Sequence, residues 1–161
     1  MEGLKKIAVI CILKHKNHLL LLKRLKEPNK DLFTPLGGKL DPFETPLSAA
    51  KRETQEESGI EVKIMNFCGI LTETSPTKYN WVSYVYLSEI EFQEAPPCDE
   101  GTLYWVHIDE LDKIPTPITD LHIYKYALQN KKFIFDAVYD ENLKLLEMNE
   151  EIENLQIALC K

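Results

Sequence analysis

The apolar positions fall into short runs separated by polar turns. Residues 7–13 and 19–22 are two such runs, joined by polar 14–18, and together they predict a hairpin. A loop carrying Pro and Lys, 26–33, leads into Thr34-Pro35-Leu36-Gly37-Gly38. Beyond it the pattern becomes helical. Thr45 suits an N-cap, Pro46 the first helical position and Gly59 the stop. Leu47, Ala50 and Thr54 form a stripe on this helix suited to packing on a sheet. Residues 62–71, 81–92 and 102–108 predict strands, the second rich in β-branched and aromatic residues. Acidic 109–113 and the breakers Pro115 and Pro117 precede an amphipathic helix over 120–130. Residues 133–139 and 143–146, linked by Asp140-Glu141-Asn142, predict a closing hairpin, and the acidic tail 149–161 a terminal helix. Mixed strands and helices, with no repeat or linker, predict one layered α/β or α+β domain over 1–161.

Composition narrows the class. Apolar residues are 44% and charged residues 28%, which excludes disordered and collagen-like chains. No apolar run approaches the roughly 20 residues of a membrane-spanning helix. Lys5-Lys6 before 7–13 imitates a short signal peptide, but charged Lys14-His15-Lys16 follows in place of a cleavage site. A buried strand in a cytoplasmic protein is therefore expected, with no membrane partner. The net charge of −7 argues against a nucleic-acid duplex as partner. It is unevenly spread: residues 1–52 carry net +6 and residues 53–161 net −13. Such a split could hold an anion on one side and a cation on the other, or reflect surface charges distributed by drift. Cys11, Cys68, Cys98 and Cys160 show no metal or disulfide spacing, and His15, His18, His107 and His122 show no ligand pattern.

The chemistry concentrates in residues 38–60. Glu53, Glu56 and Glu57 fall within about 100° of arc on one helix face. Like charges at that spacing repel, and a divalent cation relieves the repulsion. Magnesium suits carboxylate oxygens while keeping positions for water and phosphate. Arg52 beside them can orient a carboxylate through its planar fork.

The segment reads Gly-x5-Glu-x7-Arg-Glu-U-x-Glu-Glu-x-Gly-U, with U bulky and aliphatic. Gly38, Glu44, Arg52, Glu53, Glu56, Glu57 and Gly59 occupy its fixed positions. At ordinary residue usage a chance match is on the order of 1 in 10⁶. It resembles the signature of the Nudix hydrolases. Ile60 fits the last aliphatic position, whereas Thr54 departs from the first. Residues 98–106 with Asp109-Glu110-Leu111, then 131–133 and 140–146, are similar to the MutT-type branch, which sanitises oxidised purine nucleoside triphosphates.

The resemblance implies a Nudix fold, an αβα sandwich with a mixed central sheet. It implies metal ligands at Glu53, Glu56 and Glu57 with the Gly38 carbonyl, and Glu100 as a loop carboxylate reaching the metal. It places Lys23 near the phosphates and Asp120 at the base. Lys39 joins Lys23 in facing the polyphosphate, and Leu36, Gly37 and Gly38 complete the binding segment. Thr34 stands where purine-reading members carry Asn, and Thr119 where a second Asp precedes Asp120. A threonine cannot make the bidentate amide pairing. Rival roles stay open: Lys23 as a surface lysine, Asp120 as a helix N-cap, and Glu100 as an exposed loop acid. The general base is Glu53 or Glu57, with Glu56 and Glu100 behind them. The implied reaction is Mg²⁺-dependent hydrolysis, with Mn²⁺ substituting, of a nucleoside triphosphate such as 8-oxo-dGTP to monophosphate and pyrophosphate. The implied partner is a small nucleotide, and the implied assembly a monomer or homodimer. The alternatives are ADP-ribose or another nucleoside diphosphate derivative as substrate, or a non-catalytic nucleotide sensor.

Overall fold

The two apolar runs near the start form β1 (Lys6–His15) and β2 (His18–Arg24), an antiparallel pair, in a computed structural model that describes residues 2–159. Val9, Cys11, Leu13, Leu20 and Leu22 point to one side of the sheet, and Ile12, Leu19 and Leu21 to the other. A run that is apolar on both faces requires cover on both. Helix α1 (Pro46–Ser58) supplies it on the first side through Ala49 and Ala50. Helix α2 (Ile118–Leu128) supplies it on the second through Ile123, Tyr124, Tyr126 and Ala127. The result is the expected αβα sandwich.

Between the helices lies a mixed sheet of eleven described strands. Besides the first two these are β3 (Phe33–Thr34), β4 (Leu36–Lys39), β5 (Asn66–Thr74), β6 (Trp81–Glu89), β7 (Pro97–Cys98), β8 (Gly101–His107), β9 (Phe133–Tyr139), β10 (Leu145–Glu150) and β11 (Leu155–Leu159). Their order is β11-β10-β9-β5-β6-β1-β2-β8-β7, with β3 paired to β2 and β4 to β1. The β1–β6 and β5–β9 pairs are parallel, and the rest are antiparallel. Strand β4 carries the Gly-Gly segment beside β1 and directly under α1.

Helix α1 starts and stops where its residues dictate. Thr45 Oγ1 accepts from the Ser48 N–H at 3.2 Å, and Gly59 is left-handed at φ 68° with its N–H on the Gln55 carbonyl at 2.8 Å. The buried stripe differs from the expected one. Ala49, Ala50, Thr54, Glu57 and Ser58 face inward, while Leu47 stays 41% exposed.

Other boundaries shift for local reasons. Val62 and Met65 are buried, but ladder pairing to β6 begins only at Asn66. Strand β6 ends at Glu89, the last residue opposite β1, and the Trp105 indole then holds the Gln93 carbonyl at 2.8 Å. Helix α2 begins two residues early, after Pro117, so Asp120 lies in its first turn and is not the N-cap. Residues 140–144 form a turn in which Asp140 Oδ1 accepts from the Asn142 and Lys144 N–H groups at 2.9 Å each. Strand β10 therefore starts at Leu145 and runs past 146.

The tail is the largest correction. In place of a helix, β10 and β11 form an antiparallel hairpin on the sheet edge; Cys160 and Lys161 lie outside the described residues. Glu150, 1% exposed, accepts from Ile152 N–H at 3.0 Å, Glu153 N–H at 2.8 Å and Ile134 N–H at 3.2 Å. That carboxylate closes a turn that Asn154 completes at φ 55°. Cys11 and Cys68 are buried free thiols, and burial pushes Cys11 up to about 12, as suits a small hydrophobe. Among the described residues no helix is long and apolar enough to cross a membrane.

Candidate active site

Arg52 organises the acidic face of α1. Its Nε and Nη2 meet the two Glu44 oxygens at 3.0 and 2.9 Å, fork to fork. Its Nη1 reaches Glu53 Oε1 at 2.9 Å and Glu56 Oε2 at 3.1 Å, and Nη2 also holds the Lys39 carbonyl at 2.9 Å. One guanidinium thus ties the loop before the helix, the end of β4 and two of the three helix acids together. These contacts hold the Glu44 carboxyl below its ordinary range.

Gly37 and Gly38 bring backbone against those acids. The Gly37 N–H donates to Glu57 Oε2 at 2.8 Å, in a backbone with φ 146° where a Cβ would strike the Val9 carbonyl. A Cβ on Gly38 would lie 2.5 Å from the Glu53 carboxyl carbon. Gly37 needs glycine because a Cβ there would strike main chain, whereas the space at Gly38 is taken by the Glu53 carboxyl.

The three helix acids have different surroundings. Glu57 is 9% exposed, and burial pushes its carboxyl up to about 8, aided by the Glu100 and Glu53 charges and opposed by the Gly37 N–H and Arg24. Burial also raises Glu53, with Arg52 opposing and the Glu56 and Glu100 charges adding to the rise. Glu56 is mostly exposed. Glu100, on the turn between β7 and β8, is exposed and lies 3.7 Å from Arg24 Nη1. No three His, Cys, Asp or Glu side chains converge on one ion position among the described residues. The donor set nonetheless fits a hard divalent cation: several carboxylates, two held above their ordinary range by burial and mutual repulsion.

The expected binding residues divide between the two sides of the sheet. Leu36 is 1% exposed and packs with Ala49 and Ala50, so it supports the Gly-Gly segment from within the core. Lys23 follows Leu21 on the α2 side, where its Nζ lies 5.9 Å from the Phe33 ring. Arg24, one residue on, is the cation whose charge bears on Glu57; adjacent strand residues face opposite sides, so only one of the pair can do so. The Lys23-Arg24 dipeptide contained no signal for which. Lys39 is exposed, with Nζ 5.9 Å from the Trp81 ring, and Lys6 Nζ lies 5.2 Å from the same ring. Thr34 Oγ1 is buried without a hydrogen-bond partner. Asp120 is 7% exposed, and burial with the Glu73 charge pushes it up to about 8.

Residues 4–127 match the NUDIX domain, and the chain belongs to that family of hydrolases, cleaving phosphoric anhydride bonds. It is 20% identical over 152 residues to an uncharacterised Nudix hydrolase of Bacillus subtilis (strain 168), YvcI, covering 91% of this chain and 94% of that one. It superposes on a MutT protein from Bacillus halodurans with TM-score 0.81 and 25% identity, covering 91% of this chain and 98% of that one. The NUDIX domain of Shewanella oneidensis NrtR, complexed with ADP ribose, shares the fold at TM-score 0.69 and 16% identity, covering 78% of this chain and 88% of that domain.

Proposed function

We propose that this chain hydrolyses a nucleoside triphosphate to the monophosphate and pyrophosphate, taking oxidised purines such as 8-oxo-dGTP and so cleaning the cytoplasmic nucleotide pool. The observation that carries the reading is Glu57, pinned by the Gly37 N–H at 2.8 Å in a buried position surrounded by further acids. Such a cluster is stable in charged form only with a cation present. Glu53, Glu56, Glu57, Glu100 and the Gly38 carbonyl are the donors that would hold it. When bound, magnesium, or manganese in its place, would neutralise phosphate charge and lower the pKa of the attacking water. Glu53 or Glu57 takes the proton from that water. Arg52 fixes the direction of Glu53 and Glu56, while Arg24 and Lys39 face the anionic chain of the nucleotide.

Asp120 and Thr34 read the base. Oxidation at purine C8 turns N7 from acceptor to donor, and Asp120 offers the acceptor, through either oxygen when ionised and through its carbonyl oxygen when protonated. A site built to pair a substrate polar group rejects the analogue lacking it, because its own buried group is left unpaired. The test is a substrate panel scored for pyrophosphate against orthophosphate. The expected result is a higher kcat/KM for 8-oxo-dGTP than for dGTP, with Asp120→Ala removing most of the difference. Equal values for dGTP, dATP and 8-oxo-dGTP overturn the base assignment. The likeness to the ADP-ribose-bound NrtR domain supports a second reading, in which ADP-ribose outperforms every triphosphate.

A further inference from the structure

Glu73 is a buried acid that the chemistry above does not use. It sits in mid-sheet on β5, opposite Trp81 of β6 and Ala137 of β9, and is 7% exposed. Its side chain follows Leu71 onto the α2 side of the sheet, the side on which Asp120 is packed. The Tyr79 and Tyr139 hydroxyls both donate to Oε1, at 3.2 and 2.9 Å, and their rings meet edge to face. Both phenols serve the same oxygen, so Oε2 receives neither. Lys5 is spent elsewhere, its Nζ on the Glu73 main-chain carbonyl at 2.8 Å and on Thr74 Oγ1 at 2.7 Å.

Asp120 is in the same condition. It is 93% buried by its 7% exposure, and its carboxylate accepts no hydrogen bond among the described residues. One helical turn on, the Tyr124 hydroxyl is fully buried and without a partner. Glu73 Oε2 and the two Asp120 oxygens are therefore left available to accept hydrogen bonds from a ligand. Helix α2 packs on β5, which puts Asp120 and Glu73 on the same side of the sheet, and the charge of Glu73 adds to the rise of the Asp120 carboxyl.

Building on the proposed function, we infer that Glu73 is a second base-reading residue. With Asp120 it selects a nucleobase edge carrying two adjacent N–H donors. Tyr79 and Tyr139 are positioning residues that fix the Glu73 carboxylate by occupying Oε1 and leave Oε2 for the ligand. Two purine edges have this chemistry. One is the N1–H and 2-amino edge of guanine and its oxidised forms. The other is the N7–H and 6-amino edge of 8-oxoadenine. Hypoxanthine lacks one donor of the first pair, and unoxidised adenine lacks one donor of the second.

The experiment measures kcat and KM for the full chain on two substrate pairs, dGTP with dITP and 8-oxo-dATP with dATP. The expected result is a preference of about 10-fold or more in kcat/KM for the two-donor member of one pair, which also identifies the edge. In Glu73→Gln that preference falls to within about 3-fold through KM, while the one-donor analogue keeps its value, because one acceptor has become a donor. Tyr139→Phe, which removes one phenol and leaves the acid, moves the ratio the same way by a smaller amount and covers the case in which Glu73→Gln does not fold. An equal loss on both members in both variants makes Glu73 a structural acid and overturns the inference while leaving triphosphate hydrolysis standing. A wild type that cleaves ADP-ribose and no triphosphate overturns the proposed function itself, and this inference with it.

Discussion

Glu44 and Arg52 meet through two parallel hydrogen bonds, and the arrangement of the helix acids depends on that pair. The dependence is testable at Gly38, whose missing side chain leaves room for the Glu53 carboxyl. Gly38→Ala places a methyl 2.5 Å from that carboxyl carbon. The obstacle is the end of a flexible side chain, so the fold survives while Glu53 swings away from Arg52. A displacement of about 1 Å at a catalytic group costs on the order of 100-fold in rate. The expected outcome is a melting temperature near that of wild type with kcat lowered by about that factor, similar to Glu53→Gln. Normal turnover in a folded Gly38→Ala protein would show that the Glu53 position does not matter. That Arg52 orients a helix carboxylate was legible in the sequence, since both sit on one helix, whereas its pairing with Glu44 and the approach of Gly38 to Glu53 were not. The Lys23 and Arg24 choice was not legible, because strand parity there depends on the register of β2 against β1 and β8.

At the scale of elements, capping chemistry predicted α1 well, whereas weak amphipathicity misread the tail. Thr45 and Gly59 act through bonds to neighbours three or four residues away and Pro46 through its fixed φ, so the chain itself contains the information. The tail offered acidic residues at loosely helical spacing, but what decides its form is Glu150 gathering three N–H groups, one of them from Ile134 on β9. That partner is distant in sequence and invisible to periodicity. Glu73 was hidden for a related reason: an acid alternating with Leu71 on an inward face signals a function only once Tyr139 and Asp120 are known to lie nearby. Glu150→Ala should open the turn between β10 and β11. Hydrogen bonds to a charged acceptor are worth about 1.5–3 kcal/mol, so a clear fall in melting temperature is expected. Hydrogen exchange at Gln156 and Ala158 should accelerate more than exchange in β1. Uniform acceleration across the sheet would mean that the hairpin does not open as a unit.

Across the whole molecule, the metal-free protein holds several acids in surroundings that favour their protonated form. Glu57 and Asp120 are pushed up to about 8, and Glu53 and Glu73 are raised as well, each chiefly by burial. A raised acid binds more protons folded than unfolded between its two pKa values, so folding stability falls with pH across that window. The stability is present below about pH 4, the ordinary carboxylate range, and is lost as pH rises through 8. Glu44 and Glu150 are shifted the other way, and their contribution is lost only as pH falls below the ordinary range. The metal-free chain should therefore be most stable near pH 5 and melt progressively earlier towards pH 8.5. Magnesium reverses the trend for the α1 acids, because it binds their deprotonated form and stabilises the folded state by mass action. At a fixed magnesium concentration the upward shift in melting temperature should grow from pH 6 to pH 8. Glu57→Gln should flatten the metal-free pH profile and abolish most of the magnesium shift together, since one carboxyl is responsible for both. Asp120→Asn should flatten part of the pH profile and leave the magnesium shift intact. A magnesium shift of equal size in wild type and Glu57→Gln would place the ion away from α1, and with it the proposed site of hydrolysis.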